Sequence, residues 1–187
     1  MSIETLNQPA ISLLGSRAML FEAPGVLGLE NQQRIWALSS QVAQWPLVAE
    51  SVPGMNNLML TFHRPPEELD PLYQALLDEW QRGEAQTLQG RVIELAVCYG
   101  GAYGPHMRDV AEHSGLSVAE IVRRHTESLY PIYALGSHPG YCYLGGMDPA
   151  LATPRRQTPE LNIRGGSVSI GGVQTGVSAS AGPSGWN

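Results

Sequence analysis

The segment Gly136-Ser-His-Pro-Gly-Tyr-Cys-Tyr-Leu-Gly-Gly146 gathers a histidine, two tyrosines, a thiol and four glycines into one short stretch. Glycines let backbone N–H groups approach a ligand closely, and a histidine such as His138 can move a proton near neutrality. His138 and Tyr141 are therefore candidates for proton transfer, with Pro139, Gly140, Tyr143, Gly145 and Gly146 as the wall of a pocket. Cys142 reads as a small apolar side chain rather than a nucleophile. Downstream, Thr153-Pro-Arg-Arg156 sets Arg155 and Arg156 beside a rigid residue. Two guanidinium forks suit bidentate recognition of a carboxylate or phosphate. In Gly165-Gly-Ser-Val-Ser-Ile-Gly-Gly-Val-Gln-Thr-Gly176, a strand between glycine turns ends in Gln174 and Thr175, whose amide and hydroxyl can orient a polar ligand. Pro53-Gly-Met-Asn-Asn57 presents Asn56 and Asn57 either as a substrate loop or as a plain turn, since Asn tolerates the left-handed conformation.

These residues need elements to position them, and the first half of the chain reads as a regular alternation. A strand at Arg17–Glu22 ends at Pro24-Gly25, and a helix follows from Leu29 to Trp45 with Ile35, Leu38, Val42 and Trp45 at spacings of three and four. Strands at Val48–Val52 and Leu58–Phe62 form a hairpin, a second helix covers Glu67–Arg82, and a strand is expected at Val92–Cys98. The order β-α-β-β-α-β is the ferredoxin-like arrangement. Helices at Met107–Ser114 and Ser117–Ser128 come next, the second opened by the capping box Ser117-x-x-Glu120. Beyond a strand at Tyr130–Leu135, dense Gly and Pro with short runs at Asn162–Ile163 and Ser167–Ile170 suggest a barrel of short strands, and Ser178–Gly185 reads as a loop. The boundary is expected near residue 90, giving an α/β domain over 1–90 and a barrel domain over 91–187 with connector helices at 107–128.

Composition excludes several functions. The net charge is −6, all eleven basic residues are arginine, and no lysine occurs, so Schiff-base lysine chemistry and a Walker-type phosphate loop are excluded. Broad nucleic-acid binding is disfavoured by the same charge. Asp109–Arg124 resembles a helix-turn-helix, with Ala111, Gly115, Leu116, Ile121 and Val122 at packing positions, yet Glu120 and Glu127 stand beside Arg123 and Arg124 on the would-be reading helix. Two cysteines far apart suggest no disulfide framework and favour a reducing cytoplasm. No apolar run approaches the ~20 residues of a membrane span.

Taken together, Leu135-Gly-x-x-Pro-Gly-Tyr-x-Tyr-Leu-Gly-Gly-Met-Asp-Pro149, Pro154-Arg-Arg156, Gly166-Ser-Val168, Gly172-x-Gln-Thr-Gly176 and Gly185-Trp186 resemble the family of 5-oxoprolinase B subunits, KipI kinase inhibitors and allophanate hydrolase subunit 1. Asn31-Gln-x-Arg-Ile-Trp36 and Val52-Pro-Gly-Met-Asn-Asn57 extend the likeness to the first half. The resemblance implies a ferredoxin-like domain followed by a cyclophilin-like β-barrel. It also implies a subunit that, with a homologous C subunit and an A subunit, opens 5-oxo-L-proline to L-glutamate using ATP with Mg²⁺. A lactam carbonyl is a poor electrophile, and phosphorylating its oxygen turns that oxygen into a leaving group. Within this reading Arg155 and Arg156 hold a carboxylate or phosphate, His138 or Tyr141 handles a proton, and Gln174 orients the lactam. The missing lysine and phosphate loop fit a site completed by a partner subunit, where ATP is mainly bound. Ser137-His138, Tyr141-Cys142 and Gly182-Pro-Ser-Gly-Trp186 depart from the usual pattern. The chain also stops at Asn187 where relatives continue through further barrel strands, so either the barrel is incomplete or a truncation has removed its closure, and an open edge would need cover by a partner or another copy. A KipI-like inhibitor of a sensor histidine kinase, or a subunit related to allophanate hydrolase and urea carboxylase, is the alternative within the resemblance.

Overall fold

A computed structural model describes residues 6–83, 85 and 90–187. Chain contacts divide it into two compact units, Met1–Gly90 and Arg91–Asn187. Both are mixed α/β with antiparallel sheets.

The first unit begins with strands β1 (Ala10–Leu13) and β2 (Ala18–Glu22), then helix α1 (Leu29–Val42), strands β3 (Val48–Pro53) and β4 (Asn57–Phe62), and helix α2 (Leu69–Arg82). Alternation decides which face is buried: Met19 and Phe21 on β2, and Leu58, Leu60 and Phe62 on β4, point to one side. Against that side α1 lays Ile35, Leu38 and Val42, and α2 lays Leu76 and Trp80. The antiparallel sheet has the order β1-β2-β4-β3.

Two expectations are corrected here. The strand expected at Val92–Cys98 does not form, and Val92, Ile93 and Leu95 are 76%, 62% and 59% exposed. Its β-branched residues satisfy local propensity, but a strand exists only where a neighbour accepts its hydrogen bonds, and none of the described strands pairs with it. Conversely, β1 lies ahead of the expected first strand. Its four residues alternate too briefly to announce themselves, and they are held by pairing with β2 from Ala10↔Glu22 to Leu13↔Met19. The observed order is thus β-β-α-β-β-α.

The second unit contains α3 (Met107–Ser114), α4 (Val118–Glu127), and strands β5 (Ile132–Leu135), β6 (Cys142–Leu144), β7 (Glu160–Ile163), β8 (Val168–Gly171), β9 (Gln174–Val177) and β10 (Gly182–Ser184). A four-stranded sheet runs β5-β6-β9-β8, and β7 pairs with β10. Strand β10 falls within the tail read as a loop, because pairing with distant β7 organises a segment that lacks apolar side chains. Gly115 turns left-handed (φ 69°) to end α3, and Ser117 Oγ accepts the Glu120 N–H to start α4. Val110, Ile121, Met147, Leu151 and Ile170 form the core of this unit. The helix-turn-helix resemblance ends at the packing: Arg123 pairs with Glu120 and Glu127, and Arg124 with Glu120 and Asp148, so neither guanidinium is free for phosphates. Among the described residues, no helix is long and apolar enough to cross a membrane.

Candidate functional site

Strands β6 and β9 divide their side chains between two faces. Tyr143 pairs with Gly176 across the strands, so Tyr141, Tyr143, Gln174 and Gly176 share one face, while Leu144 and Thr175 share the other. On the first face Tyr141 is the hub: its ring centroid lies 5.2 Å from His138, 5.0 Å from Tyr143 and 6.4 Å from Trp186. The floor must be glycine. A Cβ on Gly176 would sit 2.8 Å from the Tyr141 hydroxyl, and one on Gly171 would sit 2.4 Å from the Trp186 ring. Trp186 is fixed by paired Ile170–Asn187 backbone bonds of 2.8 Å on its C-terminal side and by its N–H donating to Ser184 Oγ at 3.1 Å.

Arg155 joins this cluster, its guanidinium carbon 5.5 Å from the Trp186 ring centroid. Burial pushes the Tyr141 phenol up, Tyr143 adds to the shift, and Arg155 opposes it. Tyr141 is therefore a neutral O–H donor at physiological pH. His138 sits on the β5–β6 turn, where Ser137 (φ 64°) and Gly140 (φ 83°) take left-handed conformations. Its Nδ1 contacts Ser137 Oγ at 3.3 Å, and its buried Nε2 has no partner. A cation, a phenol donor, an imidazole and aromatic rings thus lie along one face, a set whose chemistry can answer an anionic ligand.

Other residues singled out in the sequence lie elsewhere. Arg156 diverges from Arg155 and donates through Nη1 to Asp109 Oδ2 at 2.8 Å, so the two forks do not converge. Thr175 faces the helical side, buried, and donates to the Ser169 carbonyl. Gly145 is required by protein atoms, since a Cβ there would fall 2.1 Å from the Tyr133 ring. Gly146 is left-handed (φ 83°), and a Cβ there would lie 2.7 Å from the Leu129 carbonyl oxygen. Pro139 and Gly140 are exposed at the turn tip.

In the first unit the asparagine loop is stitched to α1 and to the chain just after β2, and braced from within. Asn56, left-handed at φ 61°, donates through Nδ2 to the Ala23 carbonyl at 3.0 Å, and its N–H donates to Gln32 Oε1 at 3.0 Å. Asn57 Nδ2 donates to the Met55 carbonyl at 3.1 Å. Asn56 Oδ1 is buried without a partner.

His125 and Tyr99 do not stand out in the sequence, yet Tyr99 Oη and His125 Nδ1 are 2.6 Å apart and His125 Nε2 reaches Thr175 Oγ1 at 3.1 Å. The available signal is a histidine four residues after Ile121, on the buried stripe of α4.

A nucleoside triphosphate with Mg²⁺, expected from the resemblance, needs several convergent cations or backbone donors and carboxylates for the metal. Among the described residues no cluster of three or more His, Cys, Asp or Glu side chains forms a metal site. Arg156, Arg123 and Arg124 are committed to carboxylates, and Arg155 stands by the aromatic face with no ion-pair partner among the described residues. These residues do not make a triphosphate cradle.

The family model for the carboxyltransferase domain, subdomain C and D, matches residues 9–187. The Escherichia coli O157:H7 protein named as the B subunit of 5-oxoprolinase is 40% identical over 174 residues, covering 93% of this chain and 80% of that protein. Its Haemophilus influenzae counterpart is 36% identical, covering 92% of this chain and 81% of that protein. The Kluyveromyces lactis urea carboxylase crystal structure shares the fold at a TM-score of 0.76 and 15% identity, over 98% of this chain and 20% of that one. With a match from residue 9 to the last residue and relatives of this similarity, the chain belongs to the carboxyltransferase-domain subdomain C and D family, among the proteins named as 5-oxoprolinase B subunits.

Proposed function

We propose that this chain is the B subunit of an ATP-dependent 5-oxoprolinase, acting with a homologous C subunit and an A subunit to hydrolyse 5-oxo-L-proline to L-glutamate in the cytoplasm. The observation that carries the reading is 40% identity over 93% of the chain to a protein of that name. The first unit is then a ferredoxin-like domain in which β1 takes the edge beside β2 that a last strand would otherwise fill. The second, after a boundary near residue 90, is a cyclophilin-like barrel domain.

In this reading Arg155 holds the substrate carboxylate against the Trp186 side of the face, and Gln174 orients the lactam by its amide. Tyr141 donates a hydrogen bond to the developing charge on the lactam oxygen, and His138 or Tyr141 handles a proton. Arg156 supports the site by anchoring its segment to α3 through Asp109. Asn56 and Asn57 set the shape of the asparagine loop, through which they would contact substrate. ATP and its Mg²⁺ are held by a partner subunit.

The test is release of glutamate and ADP from 5-oxo-L-proline and Mg-ATP by this protein with its A and C partners, each omitted in turn. Activity that disappears whenever this chain is left out supports the reading. Full activity without it sinks the reading and turns attention to binding of a sensor histidine kinase.

A further inference from the structure

The hydrogen bonds around His125 admit one direction only. A backbone carbonyl cannot donate, so the Thr175 hydroxyl spends its single hydrogen on the Ser169 carbonyl at 3.1 Å. Thr175 Oγ1 must then accept from His125, which places the imidazole hydrogen on Nε2, 3.1 Å away. Nδ1 of the neutral ring is left as an acceptor, and the Tyr99 hydroxyl donates to it at 2.6 Å. Tyr130 completes the set by donating its hydroxyl to the His125 carbonyl at 2.7 Å, satisfying one of the last carbonyls of α4. The result is an unbroken chain from Tyr99 through α4 and β9 to β8. Burial holds the imidazole below its ordinary pKa, and the titratable groups facing it are the phenols of Tyr99 and Tyr130.

Thr175 stands between Gln174 and Gly176, the two β9 residues that face Tyr141 and Trp186. Whatever fixes Thr175 from behind fixes the position of both. We infer that His125 is a positioning residue of the 5-oxoprolinase site: held by Tyr99, it locks Thr175 so that β9 presents Gln174 and the Gly176 floor to the substrate face. This inference rests on the function proposed above. The residue need not touch substrate, because a displacement of about 1 Å in a positioning element can cost about 100-fold in rate.

The test uses His125→Leu, Thr175→Val and the milder Tyr99→Phe, with His125→Gln and Thr175→Ser as conservative partners. Each is assayed in the complex with A and C subunits and by amide hydrogen exchange across Gln174–Val177. The expected result is a fall in kcat of about tenfold or more for H125L and T175V with no change in the melting of the first unit. H125L and T175V should be non-additive when combined, T175S should restore the rate, and β9 exchange should accelerate in the same variants. Folded H125L or Y99F complexes with full kcat and unchanged β9 exchange would overturn the inference. A wild-type complex with no 5-oxoprolinase activity would instead overturn the function, while the exchange arm would still decide whether His125 locks β9.

Discussion

Arg155 and Arg156 are neighbours with different surroundings, and that difference is testable. Arg155 lies over Trp186 with no carboxylate partner among the described residues, whereas Arg156 is bonded to Asp109. Charge-assisted hydrogen bonds contribute roughly 1.5–3 kcal/mol, so Arg155→Ala should raise KM for 5-oxo-L-proline about 10- to 100-fold in the reconstituted complex. Arg156→Ala should leave KM within about threefold and lower stability by about 1 kcal/mol, as befits a partly exposed pair. Steady-state kinetics and denaturant melts of the two variants separate these outcomes. At this scale much of the candidate site was legible, because His138, Tyr141 and Tyr143 are adjacent in sequence and meet on one turn and one strand. The separation of Gln174 from Thr175 was not legible, since glycines on both sides make the strand seem to end near them. Once β9 runs through both, alternation puts them on opposite faces. In the sequence Trp186 stands only as part of a motif, and its role depends on two distant glycines that leave room for the ring.

Helix α4 is a packed connector helix with the capped start that its sequence announces. Its Ser117 cap and its Ile121 and His125 stripe place it on the core, and its arginines answer its own glutamates. The α3–α4 pair should therefore show no salt-dependent binding to duplex DNA in an anisotropy titration, and tight, salt-sensitive binding would contradict that assignment. His125 also couples this element to pH. Its folded-state pKa lies below the ordinary value near 6.5, so between the two values the unfolded chain binds more protons and stability rises with pH. Stability from this group is complete above about pH 6.5, declines as pH falls below it, and levels off beneath the folded-state value. Thermal melts between about pH 5 and 8 should show that decline in the wild type and a flatter dependence in H125L. Longer elements were legible because α1 and α2 repeat apolar residues every three or four positions and β4 alternates cleanly. Strands β1, β6 and β10 are three or four residues long, too brief for a period, and exist because a partner strand pairs with them. The Val92–Cys98 segment is the converse case, with strand-forming residues and no such partner among the described strands.

The two units each carry a core of their own, Phe21, Leu58 and Trp80 in one and Val110, Ile121 and Leu151 in the other. Residues 1–90 expressed alone should accordingly unfold in a single cooperative transition by circular dichroism. A broad, non-cooperative loss of signal would show that the first core depends on the second unit. Their tryptophans are also unevenly shared: Trp36, Trp45 and Trp80 belong to the first unit, and Trp186 alone belongs to the second. Replacing the first three by phenylalanine leaves a single emitter, seated on glycine, beside a tyrosine able to pass it excitation energy and beneath a cation able to shift its emission. The packing that required Gly171 and Gly176 thus equips the aromatic face of the second unit with its own optical probe, one whose colour and quenching report directly on what approaches Arg155 and Tyr141.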